Sequence, residues 1–178
     1  MKRRAVLSLL LICGIVAADQ CIKHAVVDNM MLYERIEVTS WFHLFYTQNQ
    51  GMAFGMSFFG TWLLALLRLC AVAGFGWYLV RCIRRRYPMG FIVCIAMIIA
   101  GALGNIIDNV LGYGTGEWMN GRVTDMFYFP LFQWPDWMPL LAGRTFFGAV
   151  FNFADASISC GAVALLLFYY KFMTHNDA

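Results

Sequence analysis

The stretch MGFIVCIAMIIAGALGNIID, Met89 to Asp108, decides the fold. It holds no charge before its last residue. Its length matches the ~20 apolar residues that a helix needs to cross a bilayer core of about 30 Å. Its last turns are not simply apolar, however. Gly101, Gly104, Asn105 and Asp108 recur at helical spacing and fall on one face. Small residues there let a second helix come close. Asn105 and Asp108 on that face would be buried between helices, where polar groups need partners. An acid inside a span is costly and points to function before anything else.

Three further apolar runs flank this one, at about Ala5 to Val26, Gly60 to Val80 and Val150 to Met173. Of the 178 residues, 61% are hydrophobic and 13% charged, against about 25% charged in soluble domains. The expected fold is therefore an all-α membrane protein, a four-helix bundle forming a single domain over 1–178. Its spans are 5–26, 60–80, 89–108 and 150–173, joined by longer segments at 27–59 and 109–149. The net charge of +3 is too small to argue for a nucleic acid partner. Four spans put both termini on the same side as the turn Arg84-Arg85-Arg86-Tyr87-Pro88. That side collects Lys2, Arg3, Arg4, Arg81, Arg84, Arg85, Arg86 and Lys171, eight cations, against Lys23, Arg35, Arg122 and Arg144, four, on the other. The positive-inside rule then places both termini in the cytoplasm and the two long segments outside. Arg68 lies within the second span. A basic start followed by an apolar run and Val16-Ala17-Ala18 also resembles a cleaved secretory signal. Cleavage would leave three spans and break the charge pattern, so an uncleaved first helix is expected.

Glu34 to Phe45 alternates loosely and reads as a small extracytoplasmic β-rich segment. Residues 109–149 carry Trp118, Trp134 and Trp137 among Pro130, Pro135 and Pro139, which suggests an extracytoplasmic loop resting at the membrane interface. Asp19 and Lys23, at the outer end of the first span, are i,i+4 neighbours in the favourable acid-first order. They serve equally well as a helix-end ion pair or as part of a site. Asn152 and Asp155 share a face at the start of the fourth span, where an acid also favours the helix dipole. Asp125, in Gly121-Arg122-Val123-Thr124-Asp125, would mean little alone.

Together these motifs resemble, in order and over nearly the whole chain, those of the lipoprotein signal peptidases (signal peptidase II). Asp19-Gln20 with Lys23 is similar to the first-helix motif. Asn49-Gln50-Gly51-Met52-Ala53-Phe54 is similar to N-x-G-x-A-F. Gly101 to Asp108 is similar to G-A-x-G-N-x-x-D, Gly121 to Asp125 to G-x-V-x-D, and Phe151 to Ala156 to F-N-x-A-D-x. The resemblance implies an aspartyl endopeptidase of the bacterial inner membrane. Asp125 and Asp155 would be its catalytic dyad, with Asp19, Lys23, Asn49, Gly51, Asn105, Asp108, Asn152 and Ala154 binding substrate or shaping the site. It implies cleavage of diacylglyceryl-modified prolipoproteins just before the lipidated cysteine, in contact with membrane lipid, by a monomer without metal or organic cofactor. Two departures stand out. The family carries an arginine where this chain has Asn109, so Arg122, Arg144 and Arg68 become candidate substitutes. The stretch between Asp125 and Phe151 is also long.

Other chemistries fit less well. The histidines His24, His43 and His175 lack the H-E-x-x-H spacing of a zinc protease, and G-x-G-D is absent. Ser157 has no histidine at helical spacing. Cys13, Cys21, Cys70, Cys82, Cys94 and Cys160 form no C-x-x-C pair and none falls in 27–59 or 109–149, against a thiol oxidase or a metal site. The main alternative is a small four-span transporter or proton-relay protein using Asp108 and Asp155.

Overall fold

The structure, a computed structural model, describes residues 1–49, 61–111, 118 and 121–174. Gly51 and most of the Asn49 to Phe54 motif lie outside the described residues. The elements run α1 (Lys2–Asn29), β1 (Arg35–Thr39), β2 (Phe42–Asn49), α2 (Thr61–Arg84), α3 (Met89–Leu111), β3 (Val123–Tyr128), β4 (Phe132–Gln133), β5 (Thr145–Phe146), β6 (Val150–Phe151) and α4 (Phe153–Thr174). Among the described residues four helices are long and apolar enough to cross a membrane, Lys2–Asn29, Leu66–Arg84, Met89–Leu111 and Phe153–Phe172.

The helix limits depart from the sequence expectation at several ends. α1 and α3 each run three residues further at their sheet ends, to Asn29 and Leu111, and α2 runs four further, to Arg84. In α3 the added turn holds Asn109, which is buried and bonded to Gly121, whereas the added turn of α1 is exposed. α4 starts later than expected. Val150 and Phe151 are drawn into strand β6 by pairing with Tyr128 and Phe127, and the helix begins only after Asn152.

α3 is the central helix, packed against α1, α2 and α4. Its Phe91, Ile92, Ile95 and Ile99 form the apolar core with Leu79, Cys82 and Ile83 of α2. Outward positions such as Leu9, Leu10, Leu166 and Leu167 are exposed, as suits helices solvated by lipid. The α3–α4 contact depends on small residues. A Cβ on Gly101 would lie 2.2 Å from the Ala154 carbonyl oxygen, and one on Gly161 would lie 2.8 Å from the Cys94 carbonyl oxygen. Backbone therefore meets backbone at both points. Ser157 ties the same seam by donating to the Met97 carbonyl at 2.9 Å.

α2 ends in a Schellman turn. Tyr87 N–H donates to the Cys82 carbonyl and Arg86 N–H to that of Ile83, at 3.0 and 3.2 Å, with Arg86 in the left-handed region at φ 60. Arg4 of α1 donates to the Tyr87 carbonyl at 2.7 Å, so the amino-terminal basic cluster and the basic turn share one end of the bundle.

The opposite end carries a four-stranded antiparallel sheet in the order β1-β2-β3-β6, with β4 and β5 forming a separate two-stranded ribbon. The β-rich expectation for Glu34 to Phe45 thus covers half of a sheet whose third strand, β3, comes from the segment read as a loop and whose fourth, β6, comes from the expected start of the fourth span. Asp125 sits on β3 opposite Thr47 of β2, not in an irregular loop. Phe129 stacks against Phe42 at 4.9 Å and Phe151 at 5.6 Å between ring centres, fastening the sheet to the start of α4.

Candidate functional site

The site forms where the sheet meets the ends of α1, α3 and α4. α4 begins with a capping box. Asn152 Oδ1 accepts from the Asp155 N–H at 2.8 Å, and Asp155 Oδ2 accepts from the Asn152 N–H at 3.4 Å. The i,i+3 spacing thus fixes the Asp155 carboxylate against the first turn. The free amide of Asn152 then reaches across. Its Nδ2 donates to Asp125 Oδ1 at 2.7 Å and to Asn105 Oδ1 at 3.1 Å. Asn105 Nδ2 in turn donates to Asp155 Oδ1 at 2.7 Å, and Asn49 Nδ2 donates to Asp125 Oδ2. Three asparagines from three elements therefore aim two carboxylates at one place.

Burial pushes the Asp125 carboxyl up to about 8, and the neighbouring Asp155 carboxylate adds to the rise, while the hydrogen bond from Asn152 opposes it. Both aspartates line a cavity of about 830 Å³, together with Asn49, Asn105 and Arg68. The segment ahead of α4, including Arg144 and Gly148 to Val150, supplies the remaining wall. Two carboxylates on one cavity with a raised pKa can hold a single proton near neutrality. That suits them to take a proton from one atom and deliver one to another.

Behind the cavity lies a buried ionic layer. Lys23 Nζ meets Asp19 Oδ2 and Asp108 Oδ2, both at 2.9 Å, with all three side chains almost fully buried. Lys23 also donates to Asn105 Oδ1 at 3.2 Å. Gln20 donates to Asp19, to Asp108 and to the Gly104 carbonyl, each at 3.1 Å. Both acids also reach towards the site. Asp19 Oδ1 accepts from the Ala154 N–H at 2.9 Å, and Asp108 Oδ2 accepts from the Thr124 N–H at 3.1 Å. Each acid thus holds the backbone next to one cavity aspartate.

Asp19, Lys23, Asn49, Asn105, Asp108, Asn152 and Ala154 therefore converge with Asp125 and Asp155, while Gly51 lies outside the described residues. The sequence could not assign Asn109 a partner, and the structure supplies one in Arg68. Arg122 does not line the cavity, whereas Arg68 and Arg144 do. The wall from Gly148 to Val150 was not singled out in the sequence, because it carries no ionisable or nucleophilic side chain.

Comparisons with known proteins show the family of the chain. Residues 11–171 match the family described as signal peptidase (SPase) II. A lipoprotein signal peptidase of Porphyromonas gingivalis is 37% identical over 89% of this chain and 80% of its own. One of Chlorobium phaeobacteroides is 30% identical, over 90% and 93%. Two solved structures, both described as bacterial membrane enzymes, superpose with TM-scores of 0.71 and 0.68 at 22% and 25% identity. The first covers 95% of this chain and 90% of its own, and the second covers 90% of each. With the family match running almost from end to end, the chain belongs to the signal peptidase II family.

Proposed function

We propose that this protein removes the signal peptide from diacylglyceryl-modified prolipoproteins, cleaving before the lipidated cysteine, with Asp125 and Asp155 as the catalytic pair. The observation that carries this reading is the convergence of the two carboxylates on one cavity, bridged by Asn152. In the proposed reaction one carboxylate takes a proton from a water whose oxygen attacks the scissile carbonyl carbon. The protonated partner gives its proton to the carbonyl oxygen. The tetrahedral diol collapses as the C–N bond breaks. The carboxyl that took the water proton gives it to the leaving nitrogen, one hydroxyl proton of the diol passes to the other carboxylate, and the pair again holds a single proton. The products are a carboxylic acid on the signal peptide and an amine on the lipidated cysteine.

The charge asymmetry supports an orientation with both termini in the cytoplasm and the sheet and cavity on the outer side. Trp137 and Leu140, among the most exposed apolar side chains, extend from the ribbon that leads into the cavity wall. They suit an interfacial position beside the substrate's lipid chains. Among the described residues, those of the site come together within one chain, which supports a monomer as the proposed state. A proton relay through Asp108 and Asp155 is less well supported, because Asp108 is held by Lys23 and Gln20.

The test is release of the signal peptide from a lipidated prolipoprotein by purified protein, read on a gel beside the same substrate without its lipid. Only the lipidated form is expected to be cut. Chelators are expected to leave the rate unchanged, and loss of cleavage in EDTA with recovery in zinc would end the aspartyl reading.

A further inference from the structure

α2 presents two faces near the basic end of the bundle. Leu79, Cys82 and Ile83 turn inward and pack on α3. Gly76, Trp77, Val80, Arg81, Arg84 and Arg85 recur at i, i+1, i+4, i+5, i+8 and i+9 and share the opposite face. These six line a groove of about 510 Å³, a size usual for small-molecule clefts, which run to about 300–1,000 Å³. Trp77 and Val80 are 64% and 47% exposed, and among the described residues no second element lines the groove. Its two ends differ in chemistry. Arg81, Arg84 and Arg85 gather at the helix end, and among the described residues their side chains make no hydrogen bond or ion pair. The Arg81 guanidinium lies over the Trp77 ring, 5.4 Å from its centre, which draws one cation back along the groove. The other end is apolar. Gly76 stands five residues before Arg81, about 7.5 Å along the axis, and has no side chain to fill the space. A surplus of cations at one end of a span suffices to orient it. That need explains the number of arginines, not a guanidinium folded onto an aromatic ring beside an apolar notch.

We propose that this groove is a binding site for one anionic phospholipid. Arg81, Arg84 and Arg85 donate to its phosphate oxygens, which match the planar fork of a guanidinium. The first part of an acyl chain lies along Trp77 and Val80 and ends in the notch at Gly76. The carbonyl end of a helix opposes an anion with about half a charge, and three cations outweigh it. Lipid is the occupant that fits the whole groove, because a soluble anion would leave the apolar half unused. In the proposed orientation the groove opens to the cytoplasmic leaflet, where anionic headgroups are drawn to basic segments beside a span. The site lies at the opposite end of the bundle from Asp125 and Asp155, so it is separate from the cavity.

The test is native mass spectrometry of the full chain in detergent, titrated with phosphatidylglycerol, with phosphatidylcholine, or with glycerol phosphate as a soluble phosphate ester. Wild type is compared with Arg81→Gln, Gly76→Leu and Arg86→Gln. Gly76→Leu keeps every charge and fills the notch, and a Cβ added there meets nothing within 4 Å among the described residues. Arg86→Gln removes a cation of the same turn that does not line the groove. A charged hydrogen bond corresponds to about 10- to 100-fold in affinity. One phosphatidylglycerol is therefore expected to bind wild type about tenfold or more tightly than phosphatidylcholine, and Arg81→Gln to lose about that factor. Gly76→Leu is expected to weaken binding as Arg81→Gln does, because a lipid that cannot seat its chain cannot hold its phosphate at all three arginines. Arg86→Gln is expected to keep the wild-type affinity. Equal losses in Arg81→Gln and Arg86→Gln assign the attraction to the basic end as a whole and overturn the site. So does wild-type affinity in Gly76→Leu, or equal binding of the two lipids by wild type. Glycerol phosphate bound as tightly as the lipid overturns it as well, since the apolar half would then contribute nothing. No arm uses the cleavage reaction, so the outcome is independent of the peptidase reading.

Discussion

At the scale of the residue, the proposed reaction separates the site into groups that would exchange protons and groups that hold them in place. Asp125→Asn and Asp155→Asn keep size and hydrogen-bonding capacity but remove the shared proton. Each alone is expected to lower single-turnover cleavage at least ~1000-fold, and the double variant little further, since members of a unit fail together. A tenfold residual loss, about 1.4 kcal/mol of barrier, is too small for a catalytic carboxylate and would remove the assignment. The pH dependence has a definite sign. The Asp125 carboxyl is raised to about 8 by burial and by Asp155, from about 3.9 in an unfolded chain. The folded state therefore binds the proton more tightly, and the stability this contributes is present below about pH 4 and lost as the pH rises towards 8. Asp125→Asn is expected to gain thermal stability over wild type progressively between pH 5 and 8.5, read by unfolding in detergent. Wild-type cleavage is expected to fall above pH 8 as the pair loses its last proton. Lys23 is different in kind. It neutralises Asp19 and Asp108 where all three are buried. Lys23→Met should cost ~3–5 kcal/mol of stability, because two carboxylates lose their counter-ion.

At the scale of the element, the α3–α4 seam sets where Asp155 stands. A Cβ at Gly101 meets the Ala154 carbonyl at 2.2 Å and Ile158 Cγ1 at 2.6 Å. The first of these is backbone in the turn that carries Asp155, so α4 must move. Displacements of about 1 Å cost on the order of 100-fold in rate, which is the loss expected for Gly101→Ala in the cleavage assay. Gly74→Ala is the control. Among the described residues nothing lies within 4 Å of its added Cβ, and its rate should match wild type. This seam was legible in the sequence, since Gly101, Gly104, Asn105 and Asp108 share a helical face and small residues on a span have few other uses. So was the capping pair Asn152 and Asp155, whose spacing is local. The strand nature of Asp125 was not legible. β3 is an inner strand whose partners, β2 and β6, lie far away in sequence on either side, and its inward run Val123 to Met126 lacks alternation because every member is buried. Asn109 was legible only as a missing arginine. Its work depends on Gly121 and Arg68, and only the folded chain brings those together.

At the scale of the whole molecule, one end is basic and the other holds the site, and the two facts are connected. Arg4 bonds to Tyr87 in the turn that carries Arg84, Arg85 and Arg86, so the amino terminus and the α2–α3 turn are fixed to one end. The sheet, the cavity and both aspartates are fixed to the other. Whichever way the charges orient the bundle, the site goes to the opposite face. In the proposed orientation, eight cations against four put the basic end in the cytoplasm. Alkaline phosphatase folds to an active form only outside the cytoplasm, so fusions report the choice directly. A fusion after Ser40, between β1 and β2, is expected to be active, and one after Arg86 inactive. Replacing Arg84, Arg85 and Arg86 together with Asn removes three of the eight inner cations and should weaken the contrast. Lys2, Arg3, Arg4 and Arg81 remain, so it should not reverse. The opposite pattern in the unaltered chain, activity after Arg86 and none after Ser40, would place the cavity in the cytoplasm. A substrate whose lipidated cysteine lies at the outer leaflet could not then reach Asp125 and Asp155, and the prolipoprotein reading would fail on geometry alone.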